Sequence, residues 1–221
     1  MSEQLSSFAS SWPHWEQQCR AFLTRDGAAT DAAHDIAHIE RVVANARMLA
    51  ESEQADLAVV LPAAWLHDCV VVPKNSPLRS QASALAAAAA GDFLRSIHYP
   101  EQHLASIQHA IKAHSFSANI APRTTEAKVV QDADRLDSLG AIGIARCFAL
   151  SAALGRRFYD PDEPFPTNRA PNDTRNTLDH FYVKLLKLAD QMQTEAGRAE
   201  AHRRTAFMQA FLAQFRGELG Q

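Results

Sequence analysis

Apolar side chains recur at spacings of three and four along almost the whole chain, the signature of amphipathic helices. Composition points the same way. Of 221 residues, 41 are alanine, the best helix former, whereas glycine and proline, the worst, number 8 and 10. β-Branched runs are few. The fold class is read as all-α.

The periodicity places helices over residues 12–25, 35–53, 55–67, 79–97, 101–114, 125–135, 137–154, 176–195 and 197–218. The second carries Ile39, Val42, Val43, Ala46, Leu49 and Ala50 on one broad face. Pro62 is expected to bend the third or shift its start, because proline removes a helical hydrogen bond. Two stretches interrupt the pattern. Residues 70–77 hold two prolines and an Asn-Ser pair, and residues 159–174 hold four prolines with several Asn and Asp. The second is expected to be a long, mobile loop. No repeat or shift in composition marks a boundary. One helical domain over residues 1–221 is therefore expected, with a core at about 28–155 and helices at 175–218 packing on it.

Several functions are disfavoured at once. The net charge is −3 and no long basic run occurs, so nucleic acid is not an expected partner. The longest uncharged apolar stretch, residues 57–66, is too short to cross a bilayer. Cys19, Cys69 and Cys147 are widely spaced and outside any CxxC, as expected of reduced thiols in a cytoplasmic protein. GxxxxGK, GxSxG and HExxH are missing, which disfavours P-loop NTPases, serine hydrolases and zincins. Gly140 and Gly143 look like a helix-packing pair rather than a phosphate loop.

The ionisable residues form a pattern. His34 and His38 open the second helix and share a face, since helical neighbours lie three and four residues apart. His38 continues into Val42 and Leu49 and points at least partly inward. Either histidine alone reads as a core residue bonded to a carbonyl. His67 and Asp68 close the apolar run at 57–66. The helix dipole accounts for a C-terminal histidine but disfavours the carboxylate. Burying Asp68 is costly unless it is paired or metal-bound. Asp132, Asp134 and Asp137 follow Val129-Val130, with Arg135 able to pair with one of them. Two imidazoles and two carboxylates on the inward faces of three helices suit one divalent transition metal (Mn, Fe, Co, Ni or Zn, with Mg admitted). Asp132 and Asp134 stand ~200° apart on a helical wheel, so a continuous helix cannot aim both at one ion. The wheel does not choose between them.

The order His38, His67-Asp68, Asp134 resembles the H…HD…D pattern of the HD superfamily of metal-dependent phosphohydrolases. The local contexts match: His38-Ile39-Glu40-Arg41-Val42, Ala63-Ala64-Trp65-Leu66-His67-Asp68 and Ala133-Asp134-Arg135-Leu136. A narrower likeness takes in Pro73-Lys74-Asn75-Ser76-Pro77, Arg79-Ser80, His114-Ser115, the segment from Gly140 to Arg146 and the tail Lys184-Leu185-Leu186-Lys187-Leu188. These resemble the small stand-alone bacterial HD hydrolases of the YedJ/YpgQ type, from about residue 10 to 218. The resemblance implies an HD-type helical bundle with the metal in its core. It implies His38, His67, Asp68 and Asp134 as ligands, preferring His38 to His34 and Asp134 to Asp132.

Lys74 and His114 are the expected catalytic residues, and Arg79 and Ser76 the expected substrate-binding ones. Lys74 and Arg79 flank the loop just after His67-Asp68, where cationic side chains and loop amides suit phosphate oxygens. His114 ends the stripe Leu104, Ile107, Ile111 and should face the core or a cleft. The implied substrate is a small phosphate compound, a nucleotide by resemblance. Metal-bound hydroxide would attack phosphorus, with a nucleoside triphosphate pyrophosphohydrolase as the preferred subtype. Cys69-Val70-Val71-Val72 departs from the acidic residues that follow HD in stringent-response hydrolases. Two alternatives stand beside this reading. One is a dinuclear-iron oxygenase drawing on His34, Asp35 and His114; the other is a non-catalytic module that binds nucleotide or metal. The apolar pattern of the last two helices admits a homodimer.

Overall fold

The computed structural model describes residues 2–25, 36–72, 76–115 and 118–220. Helices dominate, and no β-strand occurs among the described residues. The chain forms two compact units, Met1–Asp134 and Arg135–Gln221.

The first unit is organised around α3 (Leu57–Leu66), of which every residue from Ala58 to Leu66 is buried. A helix apolar on all sides has no solvent face to offer, so it takes the centre. Asp56 caps its start, the carboxylate accepting from the Ala58 N–H at 2.9 Å. The helix runs through Pro62, losing one backbone bond without ending. Around it pack α1 (Ser2–Thr24), α2 (Ile36–Glu53) and α5 (Glu101–His114), with α4 (Ala82–Ser96) laid along α5. Ala86, Ala87, Ala90 and Gly91 are buried on α4, and a Cβ at Gly91 would lie 2.2 Å from the Gln108 amide nitrogen. Small side chains let these two helices approach closely. The turn between them is closed by His98 in the left-handed region, with the Tyr99 N–H donating back to Leu94 O at 2.9 Å. α6 (Thr125–Leu136) ends this unit and carries the aspartates.

In the second unit α7 (Gly140–Ala153) packs on α9 (Glu195–Glu218) and on the short α8 (Thr177–Val183). Thr194 caps α9, its hydroxyl accepting from the Gly197 N–H at 3.0 Å. The loop at 159–174 is tied down by Arg169, whose guanidinium donates twice to the buried Asp179, at 2.6 and 2.7 Å. Among the described residues no single helix is long and apolar enough to cross a membrane.

Three elements differ from expectation in their bounds. α1 begins at Ser2 rather than at residue 12 and runs through Pro13. α7 begins at Gly140 rather than at 137, because Gly140 sits at φ 70°, outside the right-handed helical region. The packing role expected of the glycine pair is also revised for Gly143. A Cβ there would lie 2.2 Å from the Ser138 carbonyl, so the close approach is to the preceding turn. The single helix expected over 176–195 is three pieces: α8, then 3₁₀ turns at Leu185–Lys187 and Ala189–Gln191. The chain leaves the helical region at Lys184, at φ −131°. Leu185 and Leu188, three apart, fall on one side of a 3₁₀ turn as readily as on an α-helix, so their spacing did not distinguish the two.

Candidate metal centre

Five of the ionisable residues singled out above converge in the first unit. His38 comes from α2, His67 from the C-cap of α3, Asp68 from the next residue, His114 from the end of α5 and Asp134 from α6. The three imidazoles are buried, at 2%, 0% and 5% exposure for His38, His67 and His114. The carboxylates of Asp68 and Asp134 are each 29% exposed, so they form the solvent side.

The donor atoms are closely spaced. His38 Nε2 lies 3.6 Å from Asp134 Oδ1, and His67 Nε2 lies 3.9 Å from that same oxygen. His67 Nε2 is also 3.6 Å from Asp68 Oδ2, and His114 Nε2 is 3.4 Å from Asp68 Oδ1. The rings of His67 and His114 meet edge to face at 4.9 Å. Two donor sets result, His38/His67/Asp134 and His67/Asp68/His114, with His67 in both.

Local structure fixes which nitrogen faces the cluster. His67 Nδ1 lies 2.8 Å from Ala64 O, and His114 Nδ1 lies 2.7 Å from Ile111 O. A carbonyl only accepts, so Nδ1 carries the proton in both rings and Nε2 is the atom turned to the cluster. Both bonds also satisfy last-turn carbonyls that have no partner within the helix. The same arrangement, Nδ1–H on a backbone carbonyl, orients metal-ligating histidines in general.

Burial lowers the pKa of His67, against the raising influence of Asp68 and Asp134. Burial would lower His114 too. There the hydrogen bond and charge of Asp68, with the charge of Asp134, prevail and raise it.

The residues fit a divalent cation. His67 Nε2 is buried and has no hydrogen-bond partner among the described residues. A buried lone pair without a donor is costly unless something positive meets it. Donors about 2.1 Å from a common ion in tetrahedral array are about 3.4 Å apart, close to the 3.4–3.9 Å spacings seen.

The remaining expectations divide. Asp132 is fully buried and belongs to neither donor set, whereas Asp134 belongs to one, as two positions ~200° apart on a helix require. Ser76 and Arg79 are engaged with their own segment: the Ser76 hydroxyl accepts from the Leu78 N–H at 3.2 Å, and Arg79 donates to Val72 O at 3.1 Å. Lys74, His34 and Asp35 lie outside the described residues. His114, expected as a catalytic residue and as a ligand only in the dinuclear alternative, stands beside Asp68 within a donor set. Its signal was the turn Ile111-Lys112-Ala113-His114, which repeats the helix-end placement of His67.

Comparison with known proteins agrees with this geometry. The HD domain model matches residues 35–139, a span that holds all five clustered residues. The Bacillus subtilis (strain 168) protein YpgQ is 32% identical over 207 residues, covering 92% of this chain and 93% of YpgQ. The crystal structure of Bacillus subtilis YpgQ in complex with ADP aligns at a TM-score of 0.69 and 31% identity, covering 91% of this chain and 96% of that one. The crystal structure of an HD-superfamily hydrolase from Bacillus thuringiensis aligns at 0.70 and 36% identity, covering 93% and 98%. With the ordered H…HD…D residues gathered in one cluster and similarity over nearly its full length, the chain belongs to the HD superfamily of hydrolases.

Proposed function

We propose that the chain is a metal-dependent phosphohydrolase that cleaves a nucleoside triphosphate and releases pyrophosphate. The observation that carries this reading is the buried, unpartnered Nε2 of His67, flanked by His38, Asp68, His114 and Asp134. His38, His67, Asp68 and Asp134 would hold one divalent transition metal (Mn, Fe, Co, Ni or Zn). Such an ion lowers the pKa of a bound water from 15.7 to about 7 and polarises a phosphoryl oxygen. His114, whose Nε2 lies 3.4 Å from Asp68 Oδ1, would stand beside the ion as the general acid for a departing phosphate oxygen. Arg79, Ser76 and Lys74 belong to the segment that would receive the remaining phosphate charge.

Nucleotide as substrate class draws support from the ADP complex of YpgQ, a relative 31% identical to this chain. A single ion rather than a pair of irons draws support from His67. Both donor sets share its Nε2, which has one lone pair, while Nδ1 is occupied by Ala64 O. The three cysteines are free, which suits activity in the cytoplasm.

The test is phosphate and pyrophosphate release from a panel of nucleotides, using metal-stripped protein resupplied with Mn, Co, Ni, Mg or Zn. Pyrophosphate from triphosphates is expected. Orthophosphate from monophosphates would make the enzyme a nucleotidase. Silence across the panel with a metal bound would overturn the hydrolytic reading.

A further inference from the structure

Two buried amides stand just outside the donor cluster and bond the backbone beside it. Asn45 lies on α2 two turns beyond His38, and its Nδ2 donates to Ala133 O at 3.2 Å. Ala133 immediately precedes Asp134. Gln131 lies on α6 one turn before Asp134, and its Nε2 donates to Ala113 O at 2.6 Å. Ala113 immediately precedes His114. Each amide thus rides on the helix of one cluster residue and grips the backbone next to another. The links run in series, α2 to α6 and α6 to α5, along the path His38, Asp134, His114.

Both carbonyls lie in last helical turns, where backbone acceptors lack partners. At the end of α5 the neighbouring carbonyls are also taken, Ile111 O by His114 Nδ1 and Lys112 O by the Ser83 hydroxyl at 3.1 Å. Gln131 differs from these in one respect. Its Oε1 is buried with no hydrogen-bond partner among the described residues. It satisfies one buried group while leaving another unsatisfied, so its net contribution to folding is small. What it does accomplish is to hold the end of α5 against α6.

We infer that Asn45 and Gln131 are positioning residues for the metal centre, fixing Asp134 relative to His38 and His114 before an ion enters. This rests on the metal-binding reading above. Groups one step removed from metal ligands typically change affinity 10–100-fold when removed. The pre-set spacing is what such groups supply.

The test is Co²⁺ titration of the metal-stripped full-length chain, followed by the visible absorption spectrum, alongside urea unfolding without metal. Gln131→Leu and Asn45→Leu are expected to weaken Co²⁺ binding about tenfold or more and to alter the band shape, while unfolding near the wild-type urea concentration. If a leucine variant does not fold, Gln131→Glu and Asn45→Asp, which keep size but lose the N–H donor, carry the same expectation. Ser83→Ala removes a bond at the same end of α5 from the α4 side, and should leave Co²⁺ affinity at the wild-type value. Wild-type affinity and spectrum in the folded amide variants would overturn the proposal. So would equal weakening in Ser83→Ala, which would mean general loosening of the helix end. A wild-type chain that takes up no Co²⁺ would instead overturn the metal reading on which the proposal stands.

Discussion

Replacing His67 with leucine should separate metal binding from folding, because the two nitrogens of this ring have opposite consequences. Its Nδ1 satisfies Ala64 O at 2.8 Å, whereas its Nε2 is buried without a hydrogen-bond partner among the described residues. Removing a buried unsatisfied polar atom relieves about 1–3 kcal/mol, and depriving Ala64 O of its donor costs a similar amount. Leucine fills much of the ring's space at a site with 0% exposure, so no large cavity is left. The metal-free His67→Leu protein should therefore stay within about 1 kcal/mol of wild type in urea unfolding. Metal changes the comparison. Free metal at 1,000 times its dissociation constant stabilises a folded protein by about 4.1 kcal/mol. Wild type should gain that increment when Mn²⁺ or Co²⁺ is added, and His67→Leu should gain less than about 1 kcal/mol. A variant that keeps the full increment would show that the ion does not sit on this ring.

Three further outcomes follow from the packing. Asp179→Asn should cost about 3 kcal/mol at pH 7, the low end for a buried pair because Arg169 stays 21% exposed. Burial would raise the Asp179 carboxyl, but Arg169, the Asn172 N–H and Asn176 outweigh it and hold the pKa below the usual range. Its stabilisation is therefore complete above about pH 4 and lost as pH falls through the lowered folded value. Urea midpoints at pH 7 and pH 3 should show a smaller acid loss in Asp179→Asn, and equal loss in both proteins would refute the assignment. Gly143→Ala would set a Cβ 2.2 Å from the Ser138 carbonyl and should destabilise by about 1–3 kcal/mol in the same assay; a neutral result would mean that the turn yields freely. Burial pushes the thiols of Cys19 and Cys69 up to about 12 and that of Cys147 to about 11. Iodoacetamide at pH 8 should leave the buried Cys19 and Cys147 unmodified in the native chain and label all three residues in urea; rapid native labelling of Cys19 would contradict its burial.

What could be read from the sequence depended on how local the determinant was. α5 occupies the interval that its stripe predicts, because Leu104, Ile107 and Ile111 repeat at helical spacing and Pro100 stands just before the start. The cluster was legible because its members are chemically costly where the pattern puts them. An aspartate after a wholly apolar helix calls for a partner, and Asp68 has His67 and His114 beside it. Asn45 and Gln131 were not legible. An amide inside an amphipathic pattern looks like any polar residue, and its acceptor lies 88 or 18 positions away. The break at Lys184 was hidden for a related reason, since Leu185 and Leu188 satisfy two helical geometries equally. Gly140 was misjudged because a left-handed φ leaves no mark on hydrophobic periodicity.

Anomalous diffraction from crystals grown with Mn²⁺ would locate a divalent ion on His67 Nε2 directly. A single peak per chain is expected, about 2.0–2.3 Å from His67 Nε2 and within reach of His38, Asp68 and Asp134. Two peaks bridged by the carboxylates, or one peak away from His67, would contradict it.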